Sequence, residues 1–154
     1  MKLFYNLLVI IIVVILQTTL APDMNLFGAF PNLIMIVMLS LLFIGRTEDA
    51  IWWAGIGGIL LDIFSPVHFG VYTISFTLVI ALNYYLVNYI FTDPTLPLAG
   101  TFIFVSSLII NFIFLLYSHY YGQYFLEAIY NTFVGCIIYS LIRYYYKPRE
   151  EVKL

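Results

Sequence analysis

Residues 55–70 read GIGGILLDIFSPVHFG and place several glycines and one carboxylate, Asp62, inside an apolar segment. On a helix, Gly55, Gly58 and Asp62 lie three and four residues apart and therefore share one face. Ala54 and Gly58 form a pair of small residues on the same side, which favours close packing against another helix in a membrane. This stretch therefore predicts a membrane helix with one contact face.

The same stretch also predicts where this helix ends. Pro66 disfavours helical geometry at the residue before it, so we expect the helix to stop near Ser65. An ionised Asp62 facing lipid would cost roughly 3 kcal/mol or more at the bilayer centre, so we expect it to face protein or a membrane boundary. The predicted helix-packing or partner-contact residues are Ala54, Gly55, Gly58, Asp62, Ser65 and Gly70.

The composition supports a membrane protein throughout. Of the 154 residues, 64% are hydrophobic and 9% are charged, with a mean hydropathy of +1.03, whereas a soluble domain has about 25% charged residues. The apolar runs are continuous rather than alternating, which favours helices over a membrane β-barrel. We predict one all-α polytopic membrane domain over residues 1–154.

Six apolar segments follow one another along the chain. The first follows Lys2 and has no signal-cleavage motif after it, so we expect an uncleaved helix. The second and third are short for a hydrocarbon core of about 30 Å. They are either spans in a locally thinned membrane or a re-entrant pair, and we favour spans. The predicted spans are residues 3–21, 32–44, 50–64, 71–91, 98–117 and 125–146.

The basic residues predict the orientation of these helices. With six spans, both termini and the second and fourth connections lie on one side of the membrane. That side then holds every basic residue of the chain: Lys2, Arg46, Arg143, Lys147, Arg149 and Lys153. Because Lys and Arg concentrate in cytoplasmic connections, we expect both termini in the cytoplasm.

Asp62 is the first candidate for membrane chemistry, because an acid inside a span is a possible proton carrier or cation ligand. A proton relay needs further titratable groups, and we expect no second acid or histidine in another span. The sequence therefore favours a structural or partner-contact role for Asp62 over transport.

The other polar residues favour a structural role over catalysis or metal binding. Asn111 and Asn131 are polar residues inside predicted spans, and Asn111 is expected to bond a neighbouring helix. Asn131, together with Thr132 and Gly135, is expected to mark another close contact between helices. His68 and His119 make a weak metal site without paired carboxylates, so we expect no metal. Cys136 lies in an apolar run and is expected to be a buried, inert thiol.

The sequence has no motif typical of an enzyme, a cofactor-binding protein or a nucleic-acid-binding protein. Ser106 and Ser107 have no histidine or aspartate nearby in the sequence, and there is no phosphate-binding loop motif, so we predict no enzyme and no cofactor. There is no basic stripe, which makes nucleic acid an unexpected partner.

Three features together resemble the rod shape-determining protein MreD family. They are Pro31-Asn32-Leu33 opening the second span, the pattern Gly58-x-x-x-Asp62-x-x-Ser65 closing the third, and Gly70 before the fourth. The size and the expected six spans match the family over the whole chain, while Pro66 and Tyr72 depart from its usual residues.

The resemblance implies a bacterial inner-membrane protein of the cell-elongation machinery, which controls cell shape and lateral peptidoglycan synthesis as a scaffold. The implied partners are MreC, RodA, a class B penicillin-binding protein, MreB and the lipid bilayer. The family is similar in fold to the S components of energy-coupling-factor transporters. The alternative function is therefore a small-molecule-binding S component of an uptake transporter.

Overall fold

The computed structural model describes residues 2–19, 28–64, 69–90, 95–118 and 123–146, and within these ranges the chain is all-helical. This confirms the predicted all-α class. The helices are α1 (Lys2–Thr19), α2 (Leu33–Phe43), α3 (Thr47–Phe64), α4 (Val71–Tyr89), α5 (Leu96–Ser118) and α6 (Tyr124–Tyr145).

The turn between α2 and α3 is tighter than we expected, and α3 begins three residues earlier than predicted. Gly45 has φ +79°, a left-handed conformation that suits glycine. The Gly45 N–H donates to the carbonyl of Leu42, and the Arg46 N–H donates to that of Leu41. This pair of bonds is a Schellman motif, which ends α2 and starts α3 almost at once.

The short helix α2 lies at the centre of the molecule and contacts each of the other five. Its interior side chains, including Ile34, Ile36 and Leu39, have no exposed surface. With 11 residues, α2 is only about 16 Å long. Because protein rather than lipid surrounds it, its length does not have to match the bilayer, and a helix that is apolar on all sides suits this position.

Consecutive helices run in opposite directions, as the contacts at the two ends of the bundle show. One end, called here the Arg46 end, holds the start of α1, the α2–α3 turn and the end of α6. There Asn6 donates to the Asp49 carboxylate, and the Arg46 guanidinium lies 4.3 Å from the centre of the Tyr146 ring. The opposite end, called the Asp62 end, holds the starts of α2, α4 and α6.

Among the residues that the structure describes, three helices are long and apolar enough to cross a membrane: Val71–Tyr89, Leu96–Tyr117 and Tyr124–Tyr145. Two shorter apolar helices are Phe4–Thr19 and Leu33–Phe43. Large apolar side chains are exposed on the outer helices, for example Ile15, Leu82 and Phe133. Such a surface suits lipid, and these features together fit a membrane protein.

Candidate functional site

Asp62 caps the N-terminus of α4. Its side chain is only 4% exposed. One carboxylate oxygen accepts from the backbone N–H of Tyr72 at 2.8 Å, and the other accepts from the N–H of Thr73 at 3.0 Å and from the Thr73 hydroxyl. The N-terminus of a helix carries partial positive charge and unpaired N–H groups. The negative charge of Asp62 is therefore compensated by the helix that it caps.

Gly58 lets the backbones of α3 and α4 approach beside this cap. A Cβ added to Gly58 would lie 2.7 Å from the Cα of Thr73, closer than real atoms approach. Ala54, one turn earlier, is 2% exposed. Gly70 then enters α4 with φ +98°, which favours glycine. Gly58 and Gly70 therefore shape the α3–α4 hairpin.

The expectation that Gly55 packs against another helix of this chain is wrong, since a Cβ added there would meet nothing within 4 Å. Gly57 makes the second close contact of α3 instead, because an added Cβ would lie 2.8 Å from a methyl carbon of Ile34 on α2. Helical spacing grouped Gly55 with Gly58 but did not reveal that α3 is packed on two sides. Ser65, the remaining predicted contact residue, lies outside the described residues.

A second cap lies at the same end, at the N-terminus of α2. The Asn32 side chain accepts from the Met35 N–H at 3.2 Å, and Gln17 on α1 accepts from the Ile34 N–H at 3.0 Å. Asn131 on α6 accepts from the Asn32 N–H at 2.8 Å. The sequence marked Asn131 as part of a close contact between helices, but it gave no role to Gln17. Asn32 immediately before an apolar helix is a recognisable N-cap signal.

The two serines of α5 bond asparagine side chains on the neighbouring helices, and one of these is Asn131 of the α2 cap. Asn131 donates to the Ser107 hydroxyl at 2.9 Å, and Asn83 on α4 donates to the Ser106 hydroxyl at 2.9 Å. All four side chains are buried. Adjacent serines on α5 therefore connect to α4 on one side and to α6 on the other.

Asn111 bonds α6, as expected for an asparagine inside a span. Its amide donates to the Tyr124 carbonyl at 3.1 Å and is also the hydrogen-bonding neighbour of the Glu127 carboxylate. Glu127 lies inside α6, so the expectation that no other span contains an acid is wrong. The predicted span 125–146 already included this position.

The remaining candidates are the histidines and the two serines of α5. Within the described ranges, no group of three or more histidine, cysteine, aspartate or glutamate side chains could hold a metal ion. His68 and His119 lie outside those ranges. In the described part of the chain, Ser106 and Ser107 pair with asparagine amides rather than with a general base.

The arrangement at the Asp62 end therefore joins helices to one another. Asp62 and the amides of Gln17 and Asn131 bond backbone groups at two helix starts. Comparison of the chain with protein-family models, curated proteins and solved structures finds no match.

Proposed function

We propose that this chain is a non-enzymatic component of the bacterial cell-elongation complex, a scaffold of the MreD type. The supporting observation is that the residues carrying the resemblance form two helix caps at one end of the bundle. Pro31-Asn32-Leu33 lie at the start of α2, and Gly58, Asp62 and Gly70 join α3 to α4. A rigid bundle end of this kind suits a scaffold.

The proposed orientation has all six helices crossing the inner membrane, with both termini in the cytoplasm. Arg46 and Arg143 lie at the Arg46 end, where α1 also begins with Lys2. Exposed aromatic side chains at this end, such as Tyr5 and Tyr89, suit a membrane interface. These positions support a cytoplasmic Arg46 end, and the proposed six-span fold is one like that of S components.

Reporter fusions test the orientation. A reporter placed after Leu154 is expected to be active in the cytoplasm, and one placed within residues 118–124 is expected to be active in the periplasm. A C-terminal fusion active only in the periplasm overturns the six-span arrangement.

The proposed partners are an MreC-like protein with a single membrane helix and, through it or directly, RodA, a class B penicillin-binding protein and MreB. The test is depletion of this protein in its own organism, read by cell width, together with co-purification of the MreC-like protein. Depletion is expected to give wide, rounded cells. Unchanged cell width and no co-purified partner overturn the proposal.

The alternative S-component function requires free polar groups for a ligand at the outer face. At the Asp62 end, however, the side chains of Asp62, Gln17 and Asn131 bond backbone groups of this chain. These three side chains are therefore engaged within the chain rather than free for a ligand. Gene neighbourhood separates the two, since MreB and MreC genes nearby favour cell shape, whereas a transporter ATPase and transducer favour uptake.

A further inference from the structure

The five helices around α2 form a ring that is not closed. α1 packs beside α3, and the order continues through α4 and α5 to α6, with each helix in contact with the next. In the described part of the chain, no Cα atom of α1 lies within 8 Å of a Cα atom of α6. A narrow slot, called here the α1–α6 seam, therefore separates the first and last helices of the ring.

One face of α2 is open to a slot of this kind. Leu33 and Val37 are partly exposed, and because they lie four residues apart they share a face. Leu41 and Ile44 continue that face towards the Arg46 end and are each 6% exposed. The open face therefore runs the length of α2 and is widest at its start.

The other faces of α2 are covered by the ring. Ile34 lies against Gly57 of α3, and Phe43, on the opposite face, contacts the ring of Tyr139 on α6. Met35 lies between them on one side and has no exposed surface, so α4 and α5 close that side. The partly exposed face lies between them on the other side, where α1 and α6 leave the seam.

The seam fits one acyl chain of a lipid rather than another helix. Packed helix axes lie about 8–10 Å apart, so a gap wide enough for a helix would leave this face of α2 fully exposed, and it is not. From Leu33 to Ile44 the face is about 16 Å long, which is half of a hydrocarbon core of about 30 Å. Its width and its length therefore match a single chain within one leaflet.

A cation lies at the end of the seam where that leaflet meets water. Arg46 follows the last turn of α2, and its guanidinium lies 4.3 Å from the centre of the Tyr146 ring at the end of α6. In the described part of the chain, Asp49 engages the Nε and Nη2 atoms of this group. A guanidinium has five N–H groups and binds phosphate well, so N–H groups remain for a lipid phosphate.

We propose that the α1–α6 seam binds one phospholipid from the leaflet at the Arg46 end. One acyl chain lies along Ile44, Val37 and Leu33, and the phosphate accepts hydrogen bonds from Arg46. The lipid covers the one side of α2 that the ring leaves open. This site goes beyond the proposed function, because neither the scaffold nor the transporter assigns a lipid to it.

The first experiment fills the seam in the full chain. Val37→Phe is compared with Ile59→Phe, which adds a ring at a position of α3 that is 45% exposed. Each protein is stripped of lipid in detergent, and its melting temperature is measured before and after addition of phosphatidylglycerol. Binding to the folded state raises the melting temperature. We expect a rise of about 5 °C for the unaltered protein and for Ile59→Phe, and none for Val37→Phe.

The second experiment tests the phosphate contact. Arg46→Gln is compared with Arg143→Gln, which removes the same charge from the last turn of α6 at the same end. The added lipids are phosphatidylglycerol and a diacylglycerol with the same acyl chains but no phosphate. We expect phosphatidylglycerol to stabilise Arg143→Gln but not Arg46→Gln, and we expect diacylglycerol to stabilise neither.

Several outcomes overturn the proposal. They are no rise for the unaltered protein, an equal rise for Val37→Phe and Ile59→Phe, and a rise with diacylglycerol as large as that with phosphatidylglycerol. If Val37→Phe is already unfolded without lipid, the arginine pair decides, and an equal response of Arg46→Gln and Arg143→Gln overturns the site. Native mass spectrometry of the protein before lipid removal is expected to show one bound phospholipid. A co-purified protein that Val37→Phe loses in its place also overturns the proposal.

Discussion

The N-termini of α2 and α4 lie at the same end of the bundle, but different chemistry caps them. The start of α4 is held by one ionisable group, Asp62, which comes from the helix immediately before it in the chain. The start of α2 is held by neutral amides: its own Asn32, Gln17 from α1 and Asn131 from α6. One cap is local, and the other gathers distant parts of the chain.

The difference follows from what each side chain can bond. A carboxylate only accepts hydrogen bonds, so Asp62 ends the chain of bonds at α4. An amide both accepts and donates, so Asn131 accepts from α2 and donates onward to Ser107 on α5. The carboxylate therefore stabilises one hairpin, while the amides connect several helices to the central α2.

The largest effect is expected at the close approach beside the Asp62 cap. Gly58→Leu places a side chain where even a Cβ would overlap the Thr73 backbone, so the hairpin must separate, at about 3 kcal/mol of unfolding free energy. Gly55→Leu is the matched control, because Gly55 has open space. Unfolding in detergent measures both, and equal stability of the two variants would show that the approach is not needed.

Removing the carboxylate is expected to have the next largest effect. Asp62→Leu leaves the N–H groups of Tyr72 and Thr73 without their acceptor and is expected to lower the free energy of unfolding by about 1–3 kcal/mol. Asp62→Asn retains one acceptor oxygen and should lose less. Complementation read by cell width should follow the same order. An Asp62→Asn protein that folds, binds its partner and is inactive would contradict the structural role and favour proton coupling.

The amide cap is expected to respond more weakly to the loss of one member. Asn131→Ala removes bonds to α2 and α5, and we expect a loss of about 1–2 kcal/mol, near the upper range for polar contacts between membrane helices. Asn88→Ala is the control, since Asn88 is exposed and bonds only a carbonyl of its own helix in the described structure. A similar loss of unfolding free energy in both variants would show that bonds between helices stabilise the protein no more than a bond within one helix.

The smallest effect is expected at Gln17. Gln17→Ala removes one acceptor at the start of α2, and we expect a loss of about 0.6 kcal/mol. Combined with Asn131→Ala it should be non-additive, because both side chains hold the same helix start, whereas with Asp62→Asn it should be additive. Unfolding free energies of the single and double variants check this, and coupling to Asp62 would mean that the two caps are one unit.

The residue pattern predicted the helical elements and the side of α3 on which Gly58 and Asp62 lie. Long apolar runs interrupted by Pro, Gly and charged residues predict membrane helices, because lipid offers no hydrogen bonds to an unfolded backbone. Helical spacing placed Gly58 and Asp62 on one face, and both contact α4. Both inferences depend only on residues that lie within a few helical turns of one another in the same segment.

The residue pattern could not predict that α2 lies at the centre of the molecule. Its sequence is apolar on every side, so periodicity could not say which face meets which helix. The same limit explains why Gly55 was chosen in place of Gly57. Glu127 is different, because it lies within the predicted span 125–146 and could be identified from the sequence alone. The role of a helix face can be assigned only once the helix that packs against it is known.

By itself, then, the sequence determined the all-helical class, the approximate helix ends and the shared face of Gly58 and Asp62 on α3, whereas the structure showed that Asp62 caps α4. Only the tertiary structure decided that α2 lies at the centre and that Asn131 caps it from 99 positions along the chain. The physical reason is that a cap within a hairpin depends on the local chain path. A bond between Asn32 and Asn131 exists only when the surrounding helices have packed around α2.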